Sequence, residues 1–549
     1  MGHLKYIKPK LFSVMKSYSK EQFVKDVIAG IIVAIIALPL SIALAIASGV
    51  NPEQGLYTGI IAGFFISFLG GSRVQIGGPT AAFVVIIYGI IADHGINGLT
   101  VATLMAGVIM ILMGIFKLGN LIKYIPKTIT VGFTLGIAVG IFAGQLKDFF
   151  GLQMAAVPSE FIDKTIAYGQ NFHTLRPMTL GIGVLALLIQ IFWPKVSKKI
   201  PGSLVAILVT TVLVAVFKLP VDTIGDLYTI KVGLPTFAVP EISFGLVKKL
   251  ISPAFTIAIL AAIESLLSCV VADGMINDKH DSNMELVAQG IGNIGSALFG
   301  GIPATGAIAR TAANVKSGGR TPVAGIVHAI VLALILVVLM PYAALIPMPT
   351  IAAILFQVAY NMCQWKPFLR LTKTAPKSDI FVLVLTFFLT VIFDLVVAIE
   401  FGMLFAIILF MKRMSDEAEV KEWKYAEYMD SEEEKKDLLS VPIPVKVYEI
   451  NGPLFFGVAG LIADISVRDF TKCLIIRMRS VPALDVTAMN SLEELYDACH
   501  KKGITVLFSH VNEQPMKVMK KAGFVKKVGE ENFVKNIHVA IEKSKEIIG

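Results

Sequence analysis

Two charged side chains stand inside long apolar runs of the sequence. Glu264 lies in Ala261-Ala262-Ile263-Glu264-Ser265-Leu266-Leu267-Ser268, and Arg310 lies in a stretch of small residues, 301–314. A charge at the centre of a membrane helix costs about 2.5–3.5 kcal/mol on insertion scales, so such residues mark function more often than chance. Glu264 and Ser268 are four apart and share one helix face. Three roles are open to Glu264: carrying a proton, binding sodium with Ser268, or neutralising Arg310. Two Gly/Pro breaks accompany these charges, Gly77-Gly78-Pro79-Thr80 and Gly300-Gly301-Ile302-Pro303. A helix that starts in mid-membrane exposes its first four N–H groups and carries roughly half a positive charge there. Lipid cannot satisfy such groups, so they must line a cavity or be buried in protein. Two such ends facing each other make an anion site from backbone alone. Thr80 and Thr305 are placed to add hydroxyl donors, and Arg310 a full charge.

Other chemistries find no support. The sequence has no nucleophile elbow, phosphate loop or metal-ligand spacing, so neither an enzyme, a cofactor nor a metal is expected. The eight histidines lack ligand spacing, and the four cysteines read as reduced structural thiols. Asp394 and Glu400 are expected near water or capping a helix.

The elements that must hold these residues follow from composition. Hydrophobic residues make up 55% of 549, charged residues 16%, and mean hydropathy is +0.74. That excludes a soluble globular enzyme, whose charged share is about 25%. Apolar runs predict fourteen spans near 27–48, 55–70, 79–92, 98–117, 124–146, 177–194, 201–218, 253–272, 287–300, 304–315, 321–345, 347–361, 378–393 and 395–411. The third and tenth, after Pro79 and Pro303, are too short to cross about 30 Å as helix. Lysine and arginine alternate between loops as the positive-inside rule requires, which accounts for the +9 net charge without nucleic acid. Both termini are then cytoplasmic and the bilayer is the plasma (inner) membrane. Seven spans are followed by seven of opposite orientation, with the broken helix third in each set, so the breaks are inverted copies and point to a transport site.

The expected organisation is a cytoplasmic segment 1–26, a transmembrane domain 27–413 (repeats about 27–218 and 253–413), a charged helical linker 414–441 containing Glu432-Glu433-Glu434-Lys435-Lys436, and a soluble domain 442–549. In the last, 445–450, 473–478 and 505–509 read as strands and 487–500 as a helix, giving an α/β layer.

These residues resemble the SulP family of anion transporters over nearly the whole chain. Asn51-Pro52-Glu53-Gln54-Gly55-Leu56-Tyr57-Thr58, ending in Gly70-Gly71-Ser72-Arg73, resembles the family signature, with Gln54 at one aromatic position. Gly77-Gly78-Pro79-Thr80-Ala81-Ala82 resembles its third span, and Gly132-Phe133-Thr134 through Gln145 its fifth. Glu264-Ser265-Leu266-Leu267-Ser268, Ala272-Asp273-Gly274 and the run from Glu285 to Asn293 resemble the eighth and ninth. The resemblance implies core and gate domains of seven-plus-seven inverted repeats, substrate between half-helices three and ten, and a homodimer moving by an elevator-like shift. It places Thr80 and Ala81 at the first half-helix and Ala309 and Arg310 at the second. Glu264 and Ser268 fall where bicarbonate-transporting members hold sodium with Asp and Thr. Leu40 stands where many members have a polar substrate contact. The pattern is similar to bacterial proton-coupled C4-dicarboxylate carriers, with sulfate as the rival substrate. Sodium-coupled bicarbonate transport and an uncoupled channel or exchanger are the alternatives; a nucleobase carrier or a signalling scaffold fits less well. The tail resembles a STAS domain, open to a protein or nucleotide partner. Val486 stands where soluble members carry a phosphorylated serine, so that phosphoswitch is not expected.

Overall fold

A computed structural model describes residues 8–549 except 121–124, 155–156, 159, 198–199, 232, 394, 423–440 and 467–469. The chain forms two compact units, Met1–Met403 and Leu404–Gly549. Asp394 and most of the expected linker lie outside the described residues. In its described part, 414–416 ends a helix and Glu419–Glu422 is a strand.

The first unit is helical, because long runs of Leu, Ile, Val and Ala with few charges can satisfy their backbone only internally in an apolar setting. The helices are α1 Lys20–Ala47, α2 Pro52–Leu69, α3 Val84–Ile115, α4 Lys127–Gly144, α5 Pro177–Val196, α6 Gly202–Phe217, α7 Phe244–Ile276, α8 Ser282–Leu298, α9 Ile308–Lys316, α10 Val323–Ala343, α11 Met348–Met362, α12 Lys377–Ile392 and α13 Leu395–Asp416. Helix occupies every expected span. Spans three and four meet at Gly95, whose backbone (φ 67°, ψ −174°) breaks α3 in two. Among the described residues, six helical stretches are long and apolar enough to cross a membrane by themselves. Helix α8 is not one of them, for it carries Glu285, Gln289, Asn293 and Ser296, all buried.

Packing sorts the helices into two sets. In one, α8 lies against α2 and α3, α10 against α1 and α2, and α7 against α3 and α9; in the other, α4 packs on α11 and α12, and α5 on α6 and α11. Glycine sets the closest approach. A Cβ on Gly107 of α3 would sit 2.7 Å from the Gly290 carbonyl oxygen of α8, and one on Gly290 would sit 2.5 Å from that of Gly107. The two backbones therefore touch, which only glycine allows.

The breaks are real and they meet. Strand β1, Gly77–Gly78, pairs antiparallel with β2, Thr305–Gly306, in the register Gly77 with Gly306 and Gly78 with Thr305. The Ala307 N–H extends the ladder to the Ile76 carbonyl at 2.9 Å. The second break differs from expectation in position. The helix begins at Ile308 rather than near 304, because 305–306 are spent on the ladder.

The second unit contains a five-stranded sheet in the order β3-β4-β5-β6-β7: Glu419–Glu422, Val445–Asn451, Cys473–Ser480, Thr505–Ser509 and Phe533–Val534. All pairs are parallel except β3 with β4. Parallel strands are covered on both faces and read as apolar runs. Leu474, Ile476 and Phe508 pack on one face with Ala488 and Leu492 of α14, Val486–Lys501. Cys473, Ile475 and Leu507 pack on the other with Ala540 and Ile541 of α16, Ile537–Ile548, which follows α15, Glu513–Lys521. The three expected strands and the expected helix are all present.

Candidate functional site

One stripe of α7 stitches both breaks together. Residues 261, 264, 265 and 268 follow the i, i+3, i+4, i+7 spacing of a single helix face. The Thr305 hydroxyl donates to the Ala261 carbonyl at 2.8 Å, and the Thr80 hydroxyl donates to Glu264 Oε2 at 2.9 Å. Gln75 Nε2, two residues before β1, donates to Ser265 Oγ at 2.9 Å, and Ser268 Oγ donates to Thr311 Oγ1 at 3.3 Å. Each break thus has two side-chain ties to α7, which fixes both relative to Glu264.

The helix starts carry unpaired donors. The first begins as a single 3-10 turn, Ala81–Phe83, before α3. The Ala81 and Ala82 N–H groups have no acceptor among the described residues, while those of Phe83 and Val84 bond back to Thr80 and Ala81. In α9 the first internal bond is from Thr311 N–H to the Ala307 carbonyl at 2.8 Å. That leaves Ile308, Ala309 and Arg310 as helix-start donors, as geometry requires. Ala309 is exposed and Ala81 is buried.

The structure adds contacts that spacing alone does not show. Arg310 is fully buried, at 1% exposure, and its Nη2 donates to the Pro79 carbonyl. It forms no ion pair with Glu264 among the described residues. Its Nε and Nη1 have no partner among the described residues. Arg310 braces the second half-helix to the first break; Gly78 permits this, for a Cβ there would lie 2.3 Å from Arg310 Nη1. The hydroxyls of Thr80 and Thr305 donate to Glu264 and to the Ala261 carbonyl in this structure. Ser268, one turn from Glu264 on the same face, is buried and bonded to Thr311.

The sequence reading missed a second carboxylate. Glu285 is fully buried and accepts from the Gly71 and Ser72 N–H groups at 2.9 and 3.1 Å, from Gln289 Nε2 at 2.9 Å and from Gln75 Nε2 at 3.2 Å. This ties the loop before β1 to α8. The signal for it is a carboxylate beside an apolar run; the helix starts at Ser282, five residues before the expected span, and so includes Glu285.

Comparison with known proteins identifies the family. The sulfate permease family model matches residues 23–386 and the STAS domain model residues 439–540. The Bacillus subtilis protein named "Putative sulfate transporter YvdB" is 41% identical over 524 residues, 94% of this chain and 97% of that protein. The bicarbonate transporter BicA of Picosynechococcus sp. is 32% identical over 496 residues, 86% of each. The structure of the murine Solute Carrier 26 family member A9 anion transporter superposes with a TM-score of 0.87 at 18% identity, covering 98% of this chain and 94% of that one, a likeness of fold.

A helical membrane transporter is the class that the paired broken helices and these matches define. The chain belongs to the sulfate permease (SulP) family of anion transporters, with a C-terminal STAS domain. It is a transporter rather than an enzyme.

Proposed function

We propose that the protein takes up a small dianion, sulfate or a C4-dicarboxylate, together with a proton by alternating access. The observation that carries this reading is the bond from Thr80 to Glu264. It joins a half-buried carboxyl to the residue that opens the first half-helix, so a change in Glu264 protonation acts directly on the anion's seat. Protonated, Glu264 no longer sets a negative charge beside an arriving anion; the substrate and the proton then favour each other's binding, which is what coupling requires.

The seat consists of the Ala81 and Ala82 N–H groups with those of Ile308, Ala309 and Arg310, and the Arg310 charge just behind. A dianion suits several convergent N–H donors at two helix starts. The 41% identity to YvdB, named as a sulfate transporter, supports the sulfate half of this reading. The chain works as a homodimer in the plasma membrane with fourteen crossings and both termini in the cytoplasm. The set packed around the breaks slides as the core against α4–α6 and α11–α13 as the gate. The STAS domain is regulatory, through a cytoplasmic protein or nucleotide.

The test is uptake of labelled sulfate, succinate and bicarbonate into proteoliposomes under separately imposed proton and sodium gradients. Proton-driven uptake of sulfate or succinate is expected. Sodium-driven bicarbonate uptake, the alternative that the identity to BicA favours, would replace this reading.

A further inference from the structure

A cavity of about 330 Å³ opens on the first unit. One wall is the segment leading into α1, residues 14–22. The others are Arg73 in the loop before β1, the end of α7, and Arg320 with Thr321 between α9 and α10. The leading segment is pinned in place. The Lys10 N–H donates to the Gly70 carbonyl at 2.9 Å, Lys10 Nζ pairs with Asp278 at 3.3 Å, and Phe12 packs edge-on against Phe68.

A buried carboxylate bonded to four lining residues is already saturated. Asp26 is fully buried and accepts from Tyr18 Oη, Gln22 Nε2 and Arg320 N–H, each at 2.9 Å, and from the Thr321 hydroxyl at 2.5 Å. The donors left over are cationic or hydroxylic. Arg73 reaches Asp278 only at 3.7 Å, beyond hydrogen-bond length, and its Nε is buried with no acceptor among the described residues. Arg320 spends Nη1 on the Val315 and Gly319 carbonyls and has further N–H groups for the cavity. Ser19 Oγ accepts from Gln22 N–H, which leaves its proton to donate. Arg73 and Arg320 are the charged residues that line the cavity, so the site favours an anion.

We propose that this cavity binds the phosphate group of a small anionic ligand through Arg73 and Arg320. Guanidinium forks match phosphate oxygens in pairs, and the hydroxyls fill the remaining acceptors. The volume is at the small end for ligand pockets, enough for a phosphate with a few carbons. A lipid headgroup and a free phosphate ester share this chemistry. Basic pockets between membrane helices commonly take headgroups. The site is separate from Glu264, yet it touches the second half-helix, because Arg320 caps the end of α9. A bound phosphate therefore ties the leading segment to the helix that carries Arg310.

The test is thermal unfolding of the full chain in phosphatidylcholine nanodiscs, titrated either with phosphatidylglycerol in the bilayer or with glycerol 3-phosphate in solution. At least one probe should raise the unfolding temperature. Arg73→Gln with Arg320→Gln should shift the titration midpoint by roughly tenfold or more, the effect of losing a charge-assisted bond. Ser17→Asp should do the same; Ser17 is an exposed wall residue, so this variant keeps its fold if the arginine pair does not. A response to phosphatidylglycerol alone assigns a lipid, a response to glycerol 3-phosphate alone a soluble ester, and responses to both the shared phosphate. No response to either probe, or variants that respond as the parent does, would overturn the proposal.

Discussion

Replacing Glu264 with glutamine separates coupling from binding. The Thr80 hydroxyl donates to Glu264 Oε2 at 2.9 Å. Glutamine keeps an oxygen acceptor at nearly the same place and volume, so a neutral hydrogen bond of about 1 kcal/mol survives. The seat itself is backbone, and the variant leaves it intact. The ability to take and release a proton is lost. One carboxyl carrying one proton per cycle converts a one-unit pH gradient into about 1.4 kcal/mol, a tenfold accumulation of anion at zero voltage. Proteoliposomes held at zero potential by potassium and valinomycin give the assay. The parent should concentrate labelled anion up to about tenfold; Glu264→Gln should only equilibrate it while still exchanging labelled for unlabelled anion across the membrane. Undiminished pH-driven accumulation in the variant would refute the reasoning, since no proton could then be passing through this residue.

Arg310→Ala removes the donor to the Pro79 carbonyl and should lower stability by about 1–3 kcal/mol as well as uptake, with Arg310→Lys recovering part of both. An unchanged unfolding temperature would show that the brace does not hold the breaks together. Gly290→Ala forces a methyl to 2.5 Å from the Gly107 carbonyl oxygen and should cost about 1–3 kcal/mol, read as a lower unfolding temperature; no change would mean that α3 and α8 separate freely. In the STAS domain, burial pushes the Cys473 thiol up to about 12, so about one molecule in a thousand is thiolate near pH 9. Native protein should be labelled by maleimide at half-buried Cys363, and at Cys473 and Cys499 only after unfolding; fast native labelling of Cys473 would contradict the packing.

The places where the chain must break were legible because a Gly-Gly pair followed by Pro at once or one residue later has a local physical meaning. It can neither continue a helix nor leave its backbone in lipid. The same holds for Glu264, whose presence in an apolar run needs a partner, and for the STAS strands, whose apolar runs are bounded by turns. What was not legible is pairing across hundreds of residues. Nothing local says that Gly77–Gly78 forms a ladder with Thr305–Gly306, and that ladder moved the second helix start to Ile308. Nor could spacing show which partner each polar group would choose. Arg310 takes the Pro79 carbonyl rather than Glu264, and Thr305 takes the Ala261 carbonyl, because chain topology sets α7 against both breaks. Glu285 is less legible for a smaller reason: hydropathy marks the apolar part of a span, while the helix begins at the Asp281 cap, whose side chain accepts from Asn283 and Met284 N–H groups.

The central claim is that an anion rests against the first N–H groups of the two half-helices. An experimental structure with selenate bound, located by anomalous scattering, tests it most directly. The account predicts a selenium peak within hydrogen-bonding reach of the Ala81–Ala82 and Ile308–Arg310 amides. A peak elsewhere on the core, in protein that transports selenate, would contradict it.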